Sequence, residues 1–382
     1  MTREIAVIGV GTTGFRATTP DLSYRELTYE AAKKAYLDAG VEPKEIGAFV
    51  ATSEDFVEGY SIADEYAPDQ LGAALRPIYT VPGDFIQSMG SAVMMLKSGL
   101  YDLVAVQGLS KASNMVTKSY LTDFALDPVY NRPLKAHSDY IAGMEMNRFL
   151  FETGATREEC AQVVVKNKRN AMFNPRAGHG ADLTLEYVLE SEMVAWPLSE
   201  LDIAPYSDGA VVAVLAAGET ARALCQKPVW VRGIGWCSDT PGLETRDWGQ
   251  AVYARLAADM AYKMAGIRSP RREINFAEIN DEFSYKELQH LEALGLCNPG
   301  EAGVLTLDGE TEVTGSLPVN PSGGCLGVGN LFECTGGQKV LDVVWQLRGE
   351  AGHNQLKNVT TGLAMNWRGL PTTTGAVAVL SN

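Results

Sequence analysis

The chain has 382 residues, of which 46% are hydrophobic and 21% charged, and its formal net charge is −15. This length allows one large domain or two ordinary ones, and the negative charge argues against nucleic acid or an anionic membrane as the main partner. No apolar run of transmembrane length occurs, and the start of the chain leads into a strand pattern rather than a signal peptide. The six cysteines contain no CxxC pair, which indicates neither a zinc site nor a disulfide scaffold. We therefore expect a cytoplasmic, enzyme-like protein.

Strands and helices alternate through the first part of the chain. Apolar runs predict buried strands at 5–10, 46–51, 77–81 and 102–107. Helices are predicted at 24–39, and from just after Gly83-Asp84 through residue 96. This alternation is typical of an α/β sheet that is covered by helices on both faces.

The same pattern returns after an interruption. Residues from about 110 to 205 break the rhythm with predicted helices at 140–152 and 157–172, and a strand follows at 210–216. Four later segments then match earlier ones: 229–235 with 5–11, the helix 248–266 with the helix ending at 38–40, 276–283 with 49–56, and 335–347 with 87–96. The sequence therefore predicts two similar βαβαβ halves, 1–225 and 226–382, with a region of about 110–205 inserted into the first.

A glycine-rich stretch at 318–352 precedes and includes the last predicted helix. Its glycines, among them Gly323 and Gly324, allow close backbone approach or a positive φ. Close approach beside a helix N-terminus is suited to binding an anionic or carbonyl group. The alternative is a loop packed tightly under a buried helix, and the stretch alone leaves both interpretations open.

Several long phrases resemble the thiolase superfamily, particularly sterol-carrier-protein-type thiolases. They are SGLYDLVAVQGLSK, VVVKNKRNAMFNP, YSDGAVVAVLAA, AEINDEFSYKELQHLEALGLCNPGEAG, VNPSGG and VWQLRGEAG. The resemblance implies a five-layered α-β-α-β-α fold, a homodimer formed through the edge strand at 77–81, and Claisen or thiolytic chemistry on β-ketoacyl-CoA. It also implies a nucleophilic cysteine at a helix N-terminus, activating histidines and oxyanion holes. Coenzyme A or an acyl-CoA is the implied substrate, with no covalently bound cofactor.

The residues at the implied catalytic positions differ from the family pattern. The nucleophile position falls on Phe85, or nearer Gln87 if the MGSAV phrase is matched, and no cysteine precedes Cys160. In the glycine-rich GHP turn, Asn330 replaces the histidine, with Glu333 and Cys334 following it. The HDxF phrase reads Asn280-Asp281-Glu282-Phe283, and Asn366 stays compatible with an oxyanion donor.

Three interpretations follow from this resemblance. The first is retro-aldol or retro-Claisen cleavage without a covalent acyl-enzyme, as in thiolase-like lyases of steroid side-chain breakdown that pair with a small OB-fold/zinc-ribbon subunit. The second is a two-component thiolase that uses Cys334 or Cys325 as its thiol, and the third is a non-catalytic subunit of a heteromeric acyl-CoA complex.

The predicted catalytic residues are Asn280, Glu282, Asn330, Glu333, Cys334 and Asn366. The predicted substrate-binding residues are Asp84, Phe85, Ser88, Tyr285, Gly323 and Gly324. Lys166, Lys168 and Arg169 form either the phosphate contacts of coenzyme A or a basic helix face in water, and the sequence leaves both interpretations open.

Overall fold

The computed structural model describes residues 3–54, 62–114, 124–240, 242–370 and 373–382. Its strands are β1 (Ile5–Thr12), β2 (Ala48–Thr52), β3 (Ile78–Val81), β4 (Leu103–Lys111), β5 (Met193–Ala195), β6 (Leu198–Ser199), β7 (Asp208–Ala217), β8 (Val229–Ser238), β9 (Phe276–Glu278), β10 (Thr361–Trp367) and β11 (Thr374–Ser381). Its α-helices are α1 (Tyr24–Ala39), α2 (Ala63–Tyr66), α3 (Pro68–Leu71), α4 (Phe85–Lys97), α5 (Ser138–Thr153), α6 (Arg157–Met172), α7 (Leu185–Leu189), α8 (Gly218–Leu224), α9 (Val252–Ala265), α10 (Pro270–Glu273), α11 (Ser284–Ala293), α12 (Ala302–Leu307), α13 (Gly324–Val328) and α14 (Thr335–Arg348).

Nine strands form one mixed sheet in the order β3-β2-β4-β7-β1-β8-β11-β10-β9. Strands β3, β2 and β4 run parallel, as do β9 and β10, and the remaining neighbours are antiparallel. The two halves of the sheet meet through only two residue pairs between β1 and β8, Ala6 with Trp230 and Val7 with Val229. The sheet therefore consists of two half-sheets joined at a narrow seam.

The half-sheets and helices stack in five layers. Alternate side chains of β11 point to opposite faces of the second half-sheet. Ala376 and Ala378 belong to the central hydrophobic core, whereas Val377 and Val379 belong to the outer hydrophobic core of this half. The central core lies between the half-sheets and contains α4 and α14. Helix α1 covers the outer face of the first half-sheet, and α9 covers that of the second. The predicted five-layered α-β-α-β-α arrangement is confirmed.

The internal repeat is visible in paired glycines on β1 and β8. A Cβ on Gly11 would lie 2.2 Å from the carbonyl oxygen of Ala31 in α1, and a Cβ on Gly235 would lie 2.3 Å from that of Ala257 in α9. Each outer helix then ends at a left-handed glycine, after Ala39 and after Ala265 respectively. The same backbone contact between strand and helix thus occurs in both halves.

Most element boundaries agree with the prediction to within a few residues. Helix α9 begins at Val252 rather than at residue 248, and α4 begins at Phe85, directly after the predicted Gly83-Asp84 turn. The predicted equivalence of 49–56 with 276–283 extends into residues 55 and 56, which lie outside the described residues. The division of the chain at residue 225 stays a prediction. Among the described residues, no helix combines the length and apolar character needed to cross a membrane.

Candidate active site

Phe85 occupies the first position of α4, which is one of the two places that the family resemblance gives for the nucleophile; the other lies nearer Gln87. Its side chain is completely buried. A Cβ on Gly108 of β4 or on Gly337 of α14 would lie 2.9 Å from the phenyl ring. Both glycines therefore leave room for the ring, so the position is filled by a well-packed aromatic side chain and offers no thiol.

The Asp84 carboxylate joins the N-termini of both central helices. It caps α4 by accepting from Ile86 N at 2.8 Å, and its second oxygen accepts from Gly336 N of α14 at 3.0 Å and from Asn366 Nδ2 at 2.7 Å. Burial raises the pKa of Asp84 from 3.8 to about 6, although these hydrogen bonds favour the ionised form. The carboxylate is thus ionised at neutral pH and accepts from three donors.

Asn366 and Asn280 continue this hydrogen-bonded chain. Asn280 Nδ2 donates to Asn366 Oδ1 at 2.7 Å and to the carbonyl oxygen of Trp367 at 3.2 Å, and Asn280 Oδ1 accepts from Glu282 N. Because an amide nitrogen has two hydrogens, Asn280 keeps no side-chain N–H for a ligand. Asn366 spends one N–H on Asp84, and its second has no acceptor among the described residues. Of this pair, Asn366 is therefore the one that keeps a side-chain N–H that no described residue accepts.

Asn330 retains an available donor of the same kind. Its Oδ1 accepts from Phe332 N at 2.9 Å and from Thr335 Oγ1 at 3.3 Å, whereas Nδ2 donates to no group in the described part of the chain. Phe332 has φ +50, and its ring packs against Tyr206 with the centroids 4.6 Å apart and the ring planes tilted by 30°. The turn that replaces GHP is therefore held in a strained conformation that leaves one amide N–H available.

One extended segment, residues 203–207, is hydrogen-bonded both to the loop at 280–283 and to the Asn330 turn. Asn330 N donates to the carbonyl oxygen of Pro205 at 2.7 Å, and Ala204 N donates to that of Glu282 at 2.8 Å. His179 Nε2 lies 3.0 Å from the Ser207 hydroxyl, beneath the Asn330 turn. Only Tyr206 and Ser207 of this segment belong to a phrase shared with the family, and no sequence pattern predicts a role for the segment.

Glu333 lies in a cluster of ionisable side chains beside the Asn330 turn. Its carboxylate accepts from Glu54 N at 3.0 Å, and the Glu54 carboxylate is paired with Arg368. Burial, reinforced by the negative charge of Glu54, raises the pKa of Glu333 from 4.5 to about 8. Glu282 is half-buried near Gly369. Glu333 can therefore hold a proton at neutral pH. The pair of Glu54 and Arg368 was not predicted from the sequence, because the two residues lie 314 positions apart in the chain.

The two cysteines proposed as thiols are buried. Cys334 immediately precedes α14, packs in the central core and is completely shielded from solvent. Cys325 is equally buried in α13, and burial raises the pKa of its thiol far above the usual value. Neither side chain is exposed to an approaching acyl-CoA in this conformation.

Four of the predicted substrate-binding residues contact other parts of the protein. The Ser88 hydroxyl accepts from Thr52 Oγ1 at 2.7 Å in the interior. The Tyr285 hydroxyl donates to Glu145 at 2.8 Å and is also fully buried. A Cβ on Gly323 would lie 2.5 Å from Ala171 of α6, and a Cβ on Gly324 would lie 2.1 Å from the Asp281 carboxylate. Both glycines thus allow the loop to pack closely against its neighbours, in agreement with the alternative of a loop packed tightly under a buried helix.

The predicted phosphate contacts are wrong for the lysines of α6. Lys166 is fully buried in an ion pair with Glu287 at 2.8 Å, and Lys168 Nζ donates to the carbonyl oxygen of Leu326 at 3.0 Å. Arg169 is paired with Glu312 at 2.6 Å. These three side chains contact residues 287, 312 and 326 of the second half through two carboxylates and one backbone carbonyl. No cluster of three or more His, Cys, Asp or Glu side chains suited to a metal ion occurs among the described residues.

Comparison with known proteins establishes the family. Residues 238–382 match the thiolase C-terminal domain-like family. The chain is 34% identical over 385 residues to an acetyl-CoA acetyltransferase of Methanothermobacter thermautotrophicus, covering 99% of this chain and 98% of that protein. It is 28% identical over 392 residues to sterol carrier protein 2 of Bos taurus, covering 95% of this chain and 70% of that protein. The chain belongs to the thiolase family, which confirms the resemblance.

A similar solved structure is described as an Ltp2-ChsH2(DUF35) aldolase. The TM-score is 0.84 at 26% sequence identity, and the match covers 99% of this chain and 97% of that chain. The likeness to both acetyltransferases and an aldolase places the chain among thiolase-like proteins of acyl-CoA chemistry.

Proposed function

We propose that the protein breaks or makes the carbon–carbon bond next to the thioester of a β-hydroxyacyl- or β-ketoacyl-CoA without forming a covalent acyl-enzyme. The observation that carries this proposal is Phe85. A buried ring takes this nucleophile position, while Asn330 and Asn366 keep N–H donors, and the carboxyl groups of Asp84 and Glu333 have pKa values on either side of neutral pH. Loss of the thiol together with retention of donors and acids fits enolate chemistry better than acyl transfer through cysteine.

In the retro-aldol direction, a base removes the proton from the β-hydroxyl group of the substrate. The bond between Cα and Cβ then breaks, and its electron pair moves onto the thioester as an enolate. An acid finally protonates Cα, which yields an aldehyde or ketone and a shortened acyl-CoA. No oxidant, reductant or second substrate is needed for a β-hydroxyacyl-CoA. Cleavage of a β-ketoacyl-CoA also needs coenzyme A or water, which attacks the β-carbonyl directly and takes the released acyl group.

Two carboxyl groups have environments suited to these opposite roles. Asp84, with a pKa of about 6, is mostly ionised at neutral pH and is assigned as the base. Glu333, with a pKa of about 8, is mostly protonated and is assigned as the acid. Asn366 and Asn330 are assigned as enolate donors, because each has an N–H that no described group accepts. Asn280 takes the role of holding Asn366 rather than of contacting the oxyanion.

A small OB-fold/zinc-ribbon partner subunit belongs to this proposal. The description of the similar Ltp2-ChsH2(DUF35) structure names a second component and an aldolase activity. Formation of a homodimer through β3 is also part of it, because β3 ends the sheet and Tyr79 is 39% exposed there.

The proposal is tested by turnover of β-hydroxyacyl-CoA and β-ketoacyl-CoA panels, with and without co-purified small subunits. We expect cleavage of a β-hydroxyacyl-CoA that persists in Cys334→Ala and after iodoacetamide treatment. Activity abolished by both treatments would instead support a cysteine-dependent two-component thiolase.

A second candidate is a non-catalytic thiolase-like subunit of a heteromeric acyl-CoA complex. The simultaneous replacement of the nucleophile and both histidines, at Phe85, Asn330 and Asn280, favours it. Absence of turnover on every acyl-CoA, combined with absence of coenzyme A binding by calorimetry, would decide for this candidate over the enzyme.

A further inference from the structure

Beneath the candidate site lies a buried chain of polar side chains that the proposed chemistry does not use. Lys286 Nζ donates to Glu145 Oε1 at 2.8 Å, to Gln289 Oε1 at 2.8 Å and to the Tyr253 hydroxyl at 3.2 Å. The Tyr253 hydroxyl lies 3.0 Å from His290 Nε2. His290 Nδ1 lies 2.8 Å from the carbonyl oxygen of Asn280. All of these side chains are at most 2% exposed.

The direction of every hydrogen bond in this chain follows from its two ends. The carbonyl oxygen of Asn280 only accepts, so Nδ1 of His290 must carry the proton. Burial and the charge of Lys286 lower the pKa of His290 to about 3, so the ring is neutral and Nε2 is an acceptor. The Tyr253 hydroxyl therefore donates to Nε2 and accepts from Lys286. All three ammonium hydrogens of Lys286 are used, and the chain points one way, from Lys286 to Asn280.

Asn280 connects this chain of hydrogen bonds to Asn366 in the candidate site. His290 fixes its backbone carbonyl, Glu282 N fixes Oδ1, and the Nδ2 hydrogens go to Trp367 O and Asn366 Oδ1. Asn366 is then held between a donor on one side and the acceptor-only Asp84 carboxylate on the other. Only one orientation of the Asn366 amide satisfies both neighbours, and it leaves the second N–H of Nδ2 unused.

We propose that Lys286, Tyr253 and His290 form a positioning chain that holds the Asn280 backbone where its side-chain amide orients Asn366, so that Asn366 presents its remaining N–H to the enolate oxygen. The assignment of that N–H to an enolate rests on the proposed function, but the orientation itself does not. Misplacement of an oxyanion donor lowers the rate of the chemical step more than substrate affinity, because the donor stabilises charge that develops in the transition state.

The test compares Tyr253→Phe with Tyr262→Phe. Both tyrosines lie on α9, both are buried, and each variant loses one hydroxyl while keeping the ring. The Tyr262 hydroxyl donates to the carbonyl oxygen of Leu294 at 2.7 Å and takes no part in the chain. In Tyr253→Phe, Nε2 of His290 loses its hydrogen-bond donor. If the His290 proton moved to Nε2 instead, the unprotonated Nδ1 would face the carbonyl oxygen of Asn280, which is also an acceptor.

The first readout needs no substrate. In protein labelled with 15N-asparagine, we expect Tyr253→Phe to shift the side-chain amide resonances of Asn280 and Asn366, whereas Tyr262→Phe leaves them in place. In the unmodified protein, 15N spectra of His290 should show a protonated Nδ1 and a bare Nε2. The opposite tautomer, or amide resonances that neither variant moves, would overturn the positioning chain whether or not a reaction has been found.

The second readout uses the β-hydroxyacyl-CoA that is turned over. We expect Tyr253→Phe to lower kcat about tenfold or more with KM changed less than about threefold, and Tyr262→Phe to change neither. Equal losses in both variants would mean that Tyr253 acts through stability alone and would overturn the proposal. Should the resonances shift while no acyl-CoA is turned over by any form, the positioning chain stands and the proposed function fails.

Discussion

The packing of Phe85 gives a quantitative prediction for the vacated nucleophile position. Phe85→Ala removes a fully buried ring from the central core, and a buried Phe→Ala change costs about 3–5 kcal/mol of unfolding free energy. For a chain of 382 residues, this corresponds to a fall in Tm of about 4–6 °C, because the entropy of unfolding is about 2 cal/mol/K per residue. Phe151→Ala, which truncates a side chain that is 80% exposed, serves as the control and should change stability by less than about 0.5 kcal/mol.

A double-mutant cycle with Gly108 sharpens this prediction. A Cβ on Gly108 would lie 2.9 Å from the Phe85 ring and 3.3 Å from Cys334 Sγ, so Gly108→Ala should cost about 1–3 kcal/mol by overpacking. In the Phe85→Ala background the ring is gone, and most of that cost should disappear. We expect a coupling free energy of about 1–2 kcal/mol, measured by urea unfolding of the four proteins. Additivity of the two changes to within about 0.5 kcal/mol would refute the placement of the ring between β4 and α14.

Three other predictions follow from the site and the repeat. The pH profile of kcat/KM should be bell-shaped, with activity lost below about pH 6 as Asp84 is protonated and above about pH 8 as Glu333 ionises. The Glu333→Gln variant should have a lower maximum rate and should no longer lose activity above about pH 8. An unchanged loss of activity at high pH in this variant would exclude Glu333 as the acid. Because the raised pKa of Glu333 means that the native protein holds this proton more tightly than the unfolded chain, its contribution to stability falls as pH rises from about 4.5 to 8. The Glu333→Gln side chain still accepts the hydrogen bond from Glu54 N but carries no charge. The unfolding free energy of this variant should therefore exceed that of the unmodified protein by over about 1 kcal/mol at about pH 9 and equal it near pH 4.5. A difference in unfolding free energy that does not depend on pH would contradict this expectation. Gly11→Ala and Gly235→Ala should each lower the unfolding free energy by at least about 1 kcal/mol, since each Cβ meets a carbonyl oxygen of its outer helix, and a tolerated change at only one site would contradict the equivalence of the halves.

The repeat was predictable because local patterns carry it. The glycines of β1 and β8 and the alanines of the helices that cover them recur at the same spacing in both halves. A continuous apolar run marks β7, and Asp84 is a typical N-cap before α4. These features depend on residues close together in the chain, and the structure places them as the patterns indicate.

The use of polar groups within the site was not predictable from their identity. Asn280 looked like an available donor, but both of its N–H groups are taken by Asn366 and Trp367. Lys166 looked like part of a basic surface, yet it is buried against Glu287, which is 121 residues away in the sequence. Such pairings depend on tertiary contacts between distant elements, which the composition of a single helix does not reveal.

The central claim is that this thiolase-family chain acts without an acylated cysteine. The most direct measurement is intact-protein mass spectrometry of samples quenched during turnover of a β-hydroxyacyl-CoA, with peptide mapping of all six cysteines. The account predicts continuous product release with the protein mass unchanged, in the unmodified protein and in Cys334→Ala alike. An acyl adduct that forms and decays at the rate of turnover, on Cys334 or any other cysteine, would contradict it.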